Sequence, residues 1–268
     1  MYAVDPKVMS KLEPQVRRVL IVDPNPAAAR LLADLMRASG AREVMFEADE
    51  RRALELAQTV GPSIFFVERS GPRLDGESFT RRLRRSDFVC RRAPVIMVTA
   101  DATANTIKGA RDAGVHEFLR KPFTAGDLMK RLEAVSLKPR DWIEAIQYVG
   151  PDRRRFNSAE YSGQRKRSSD KAQSPAEVRA QALDRAVRIL KAAITQFDTD
   201  PVQARRALAQ QAIALKQAAQ QSRAPDLAMA VTTLELALGQ GAPTRATLAG
   251  PVKQVTDLFE PNAPVKAA

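Results

Sequence analysis

Four polar residues follow apolar runs in this sequence: Asp23 after "VLIV", Glu68 after "IFFV", Thr99 after "VIMV" and Lys121 shortly after "EFL". Two carboxylates, a hydroxyl and an ammonium from four distant segments can hold a cation, a phosphoryl group or an internal ion network. Any one alone is uninformative. The set acquires meaning only if the chain brings its members to one edge. Parallel α/β sheets do that, because their ligands gather beyond the carboxyl ends of the strands.

The elements needed for such a sheet can be read directly. "RRVLIVD" (17–23), "EVMFEA", "SIFFV" (63–67), "PVIMVTA" (94–100) and "HEFLRKP" (116–122) read as five strands. Helical patterns alternate with them. "AAARLLADLMRASG" puts Leu31, Leu32, Leu35 and Met36 on one face and stops at Gly40, and "DERRALELAQTVG" is opened by Asp49 and closed by Gly61. "GESFTRRLRRSD" rests on Phe79 and Leu83, "TANTIKGARDAG" follows, and "TAGDLMKRLEAVS" turns Leu128 and Leu132 inward. Five βα units imply a five-stranded parallel, doubly wound α/β domain of the flavodoxin-like type over 16–138, after an N-terminal extension at 1–15.

Residues 139–174 read differently. A short amphipathic piece with Trp142, Ile143 and Ile146 gives way to a basic, Ser/Arg-rich linker, expected to be largely disordered over 150–174. From 175 to 268 the chain is Ala-rich and helical. Leu183, Val187, Leu190, Ile194 and Phe197 repeat at helical spacing, as do Leu208, Ala212, Leu215 and Ala219, and then Leu227, Val231, Leu234 and Leu238. Val252, Val255 and Phe259 suggest a shorter fourth helix entered through Gly250-Pro251. Such stripes predict an all-α helical bundle, without naming its output.

Composition excludes several classes. The 268 residues contain one Cys (Cys90) and one His (His116), so there is no disulfide framework, no multi-cysteine or two-histidine metal site, and no phosphotransfer histidine in the helical half. His116 opens the fifth strand, where packing is expected. No run of eighteen apolar residues and no secretory pattern occurs, so cytoplasmic residence is expected. Net charge is +12, with 21 Lys+Arg against 16 Asp+Glu over 17–137, 9 against 5 over 138–174, and 11 against 8 over 175–268. The helical half lacks a compact basic recognition helix, so sequence-specific DNA binding is not expected.

"VLIVDPN", "FFVERSGPRLDG", "VIMVTA" and "FLRKPF" resemble, in order and spacing, the receiver domain of bacterial two-component response regulators, over roughly residues 16–138. The resemblance implies an acid pair after strand one that holds Mg²⁺, a phosphorylated Asp after strand three, a Thr/Ser and a Lys that contact the phosphoryl oxygens, and an aromatic switch on strand five. The corresponding residues here are Asp23 with Pro24, then Glu68, Thr99, Lys121 and Phe118. Two of them depart from the pattern. Pro24 offers no side-chain oxygen, so Mg²⁺ binding is expected to be weak or absent. Glu68 stands where the phosphoacceptor Asp belongs, its carboxylate about 1.5 Å further out, able to reach Lys121 and Thr99.

The expected function is an atypical response regulator in a phosphorelay pathway, a phosphorylation-independent protein-interaction module and not an enzyme. Its partners would be signalling proteins, with a histidine kinase or a phosphotransfer protein as candidates, and the helical region is a candidate homodimer interface. The alternatives are a working receiver phosphorylated in the Glu68 pocket and an Arg-dependent nucleotide effector. For the latter, Arg81, Arg82, Arg84 and Arg85, followed by Arg91 and Arg92, form either a solvated helix face or an anionic docking surface. Arg153, Arg154 and Arg155 in "YVGPDRRRFN" have the chemistry to clamp phosphates and stack on guanine, with cyclic di-GMP as the candidate.

Overall fold

A computed structural model of the chain describes residues 12, 14, 16–153 and 175–259. Strands β1 (Arg18–Val22), β2 (Glu43–Glu47) and β3 (Ile64–Glu68) come first, then a minimal antiparallel pair, β4 (Ser70–Gly71) and β5 (Leu74–Asp75). Strands β6 (Val95–Thr99) and β7 (Glu117–Arg120) follow. The main sheet has the order β2-β1-β3-β6-β7, and every pair in it is parallel. Helices α1 (Pro26–Ala38), α2 (Glu50–Val60), α3 (Gly76–Arg85), α4 (Ala104–Ala113) and α5 (Ala125–Leu137) supply the crossovers.

Strand periodicity explains why both faces are covered. Val19, Ile21, Ile64, Phe66, Ile96, Val98 and Leu119 pack with residues of α1 and α5 on one side. Leu20, Val22, Phe65, Val67, Val95, Met97 and Phe118 pack with residues of α2, α3 and α4 on the other. Neighbouring residues of one strand thus enter two different cores, which is why the strands read as unbroken apolar runs. Helix starts are fixed locally. The side chains of Asn25, Asp49, Asp75, Thr103 and Thr124 each accept from first-turn backbone N–H groups.

Two expected boundaries move. Leu12 and Val16, at 0% exposure, belong to the α1/α5-side core, so that core starts before residue 16. Downstream, the predicted amphipathic piece and the first residues of the predicted linker form a hairpin of β8 (Trp142–Glu144) and β9 (Val149–Pro151), with Asp152 N donating to Asp141 O at 2.7 Å. Tyr148, Val149 and Gly150 are buried there, so disorder does not start at residue 150. The reason is close packing. A Cβ on Gly150 would lie 2.8 Å from Gly114 Cα, and one on Gly114, at φ +95°, 2.7 Å from Val149 O. The rest of the predicted linker, 154–174, lies outside the described residues.

The described residues divide into two compact units, one containing those up to 143 with 148–153, the other 144–147 with 175–259. In the second, α6 (Pro175–Thr195), α7 (Pro201–Ser222), α8 (Pro225–Gly239) and α9 (Arg245–Asp257) share one core. Leu190, Phe197, Leu208, Leu215, Val231, Leu234, Val252 and Val255 fill it, joined by Ile146. The buried amide of Gln203 donates to Glu144 Oε1 at 3.1 Å and to Ala145 O at 3.2 Å. The fourth helix does not enter through Gly250-Pro251. Thr244 caps it reciprocally with Thr247, and Pro251 sits inside it. Buried Leu248, Val252 and Val255 hold that helix in place despite the missing N–H. Among the described residues no helix is long and apolar enough to cross a membrane.

Candidate functional site

Parallel pairing brings the carboxyl ends of the strands together. Val22 is in register with Val67, Glu68 with Val98, and Thr99 with Arg120, so Asp23, Glu68, Thr99 and Lys121 emerge at one edge. The backbone adds a direct tie, since Lys121 N donates to Thr99 O at 2.8 Å. The following Lys121–Pro122 peptide is cis.

Lys121 Nζ lies between two carboxylates, 2.8 Å from Asp23 Oδ2 and 2.6 Å from Glu68 Oε2. The other carboxylate oxygens are also engaged. Asp23 Oδ1 accepts from Asn25 N and Glu68 Oε1 from Arg69 N, both at 2.8 Å. The side chains of Asp23, Glu68 and Lys121 are 7%, 14% and 25% exposed, so this is a largely desolvated network. Partial burial alone would lower the Lys121 pKa, but the hydrogen bonds to Asp23 and Glu68 outweigh it and hold the ammonium above the ordinary lysine value.

Thr99 and Phe118 play different parts in this arrangement. The Thr99 hydroxyl, buried, accepts from Asp101 N at 3.2 Å. Phe118 is buried in the core on the α2/α3/α4 side. Pro24 turns its ring onto the β4 turn, where a Cβ at Gly71 would meet Pro24 Cγ at 2.5 Å. Its ring packs where an acid would have offered oxygen.

Sequence reasoning passed over Arg69. Its Nη1 reaches Asp101 Oδ2 at 3.1 Å and its Nε stands 4.0 Å from Glu77 Oε1, joining the loops after β3 and β6. Asp101 also accepts from the Thr106 hydroxyl at 2.9 Å, which with Thr103 and Arg69 holds its pKa below the ordinary carboxylate value. The position of Arg69 beside Glu68 was the available signal.

The arginines of α3 do not form one surface. Arg84, expected among the surface guanidiniums, is fully buried. It donates to the carbonyls of Gly114, Arg91 and Ala93, so it is not an anion-binding residue. Its position four residues after buried Thr80 and five after buried Phe79 turned it inward with Leu83. Arg81 is bonded to Glu77 and Arg82 to Glu50, while Arg85 lies on the exposed side. Arg153 pairs with Asp112 at 2.9 Å and stacks over the Tyr148 ring, 4.4 Å from its centroid. Arg154 and Arg155 lie outside the described residues.

The fit of a Mg²⁺ ion can be judged from these contacts. Such an ion needs near-octahedral oxygen ligands at about 2.0–2.1 Å. Here two carboxylates bracket an ammonium, the adjoining residue is Pro24, and no group of three or more His, Cys, Asp or Glu among the described residues is placed to hold a metal. The donor set does not fit the ion.

A family model described as the response regulator receiver domain matches residues 19–133. Residues 19–133 are a receiver domain. Among curated relatives, the transcriptional regulatory protein PdtaR of Mycobacterium tuberculosis is 32% identical over 117 residues, covering 44% of this chain and 55% of that protein. The KDP operon transcriptional regulatory protein KdpE of Escherichia coli is 36% identical over 115 residues, 42% of this chain and 48% of that protein. The chain thus spans about half the length of these relatives. Among solved structures, the chemotaxis protein CheY4 of Vibrio cholerae is 26% identical with a TM-score of 0.41, covering 44% of this chain and 96% of that one.

Proposed function

We propose that the receiver domain acts as a phosphorylation-independent protein-interaction module of a two-component pathway, and that the chain has no enzymatic activity of its own. One observation carries this reading: Lys121 Nζ is held by both Asp23 and Glu68, so the pocket is neutralised from within. In a working receiver a divalent cation and a phosphoryl group would supply and meet those charges. Glu68, one methylene longer than Asp, spans the gap to the ammonium directly. The network then replaces a signal-dependent interaction with a permanent one, leaving the domain in one conformational state.

A module of this kind contributes recognition rather than chemistry. Its partner would be a protein of the same pathway, a histidine kinase or a phosphotransfer protein, bound without phosphate as the trigger. The test is to add Mg²⁺ and beryllofluoride to the full chain and follow the amide NMR shifts of Glu68, Thr99 and Phe118. Unchanged positions are expected. Saturable shifts at those three residues would replace this reading with a working phosphorelay receiver.

A further inference from the structure

Buried Arg84 and partly buried His116 lie in a polar cluster that the pocket chemistry leaves unused. His116 Nδ1 faces two donors, Arg84 Nη2 at 3.0 Å and Val95 N at 3.3 Å. A nitrogen that receives two N–H groups must offer its lone pair, so the imidazole is neutral with its proton on Nε2. Arg84 is in turn bound up with the hairpin that follows α5. Its guanidinium lies 5.4 Å from the centroid of the Trp142 ring, and Gly114, whose carbonyl it binds, is packed against Val149 O. Arg140, just before the hairpin, donates to the His116 carbonyl.

We propose that residues 140–143 and 148–153, the parts of the chain after α5 that belong to the receiver unit, form an acid-released latch on the receiver domain, with His116 as the group whose protonation opens it. Protonating Nδ1 removes the acceptor used by Arg84 and places a second cation 3.0 Å from a guanidinium. Burial, together with Arg84 and Arg140, holds the His116 pKa well below its ordinary value in the docked form. In the released form the imidazole returns to water and titrates near about 6.5.

The surroundings decide whether another group could act instead. From α3 comes Arg84, which burial pulls down to about 9 and which is still charged at neutral pH. Arg91 of the neighbouring turn donates to the Arg84 carbonyl, and burial raises the Cys90 thiol beside it. Glu117 on β7 faces Arg131 of α5 and Arg140. The hairpin itself brings Tyr148, pushed up to about 12 by burial, with Asp152 and with Arg153 on Asp112 of α4. Of these side chains only imidazole ordinarily changes charge between about pH 5 and 8.

The sign follows from the lowered pKa. Docking is at full strength above about pH 6.5 and weakens as pH falls, tenfold per unit for one proton taken up on release. The experiment is amide hydrogen exchange of Asp152, whose N–H is bonded to Asp141 O, in the full chain between about pH 8 and 5. After correction for intrinsic exchange, its opening constant is expected to be flat above about pH 6.5 and to rise tenfold per unit below. His116→Gln, which keeps an acceptor and cannot titrate, should be flat throughout; His116→Asn serves if that variant does not fold. The same slope in the variant, or none in the natural chain, overturns the proposal. So does exchange of Asp152 at the same free energy as Phe66 in the central strand, since the hairpin would then open only with the whole unit.

Discussion

At the scale of the residue, one ammonium shared by two carboxylates sets the properties of the pocket. Replacing Lys121 with Met leaves Asp23 and Glu68 facing each other without a counter-charge. A fully buried pair broken in this way costs about 3–5 kcal/mol, and partial exposure of Lys121 reduces the expected loss to about 2 kcal/mol. Urea unfolding would measure it as a lower midpoint at an unchanged slope. The raised Lys121 pKa gives this contribution a sign in pH: it is complete below about 10.5 and lost only as pH climbs through the still higher folded value. The converse change restores a donor set. Pro24→Asp together with Glu68→Asp supplies the missing oxygens and withdraws the carboxylate from Lys121. Mg²⁺ titration followed by amide shifts should then show affinity at least about tenfold above that of the natural chain.

At the scale of the element, strand ends and helix caps place the side chains, and a few glycines permit the close approaches. Gly114 closes α4 in the left-handed region and has Val149 O against it. Gly114→Ala combines backbone strain of about 1–2 kcal/mol with a steric contact, and a loss of about 2–3 kcal/mol is expected in thermal or urea unfolding. Elements like these are where sequence reasoning separated into what it could and could not reach. Apolar runs ending in Asp23, Glu68, Thr99 and near Lys121 carried the sheet and the convergence of the pocket, because period and strand order are local signals. The inward turn of Arg84 was not readable, since an arginine in a run of arginines looks solvated until its helix is packed. Nor was the hairpin, whose two strands are three residues each and whose burial rests on Gly114, about 35 residues earlier in the chain. Pro251 misled for the opposite reason. Proline usually marks a helix start, but the Thr244–Thr247 cap had already begun that helix.

At the scale of the whole molecule, each unit is completed by chain from beyond its expected bounds. The helical unit takes Ile146 and the Glu144–Gln203 contact from residues that precede the predicted linker. The receiver unit takes Leu12 from the predicted extension, Tyr148 and Val149 from the stretch before the predicted linker, and Arg153 from the linker itself. A receiver segment cut at the resemblance's edge, after Lys138, therefore loses the ring of Trp142 from Arg84 and the side chains of Tyr148 and Val149 from its surface. Burying a side chain of that size contributes about 1.5–3 kcal/mol, and ordering the hairpin backbone offsets much of the sum. A net loss of about 2 kcal/mol relative to a segment ending at Arg153 corresponds to a fall in Tm of roughly 5–10 °C. Paired thermal melts of the two segments would check it. Equal midpoints would mean that the hairpin lies on the receiver unit without stabilising it. The expected gap would make residues 139–143 and 148–153 part of the folded receiver unit.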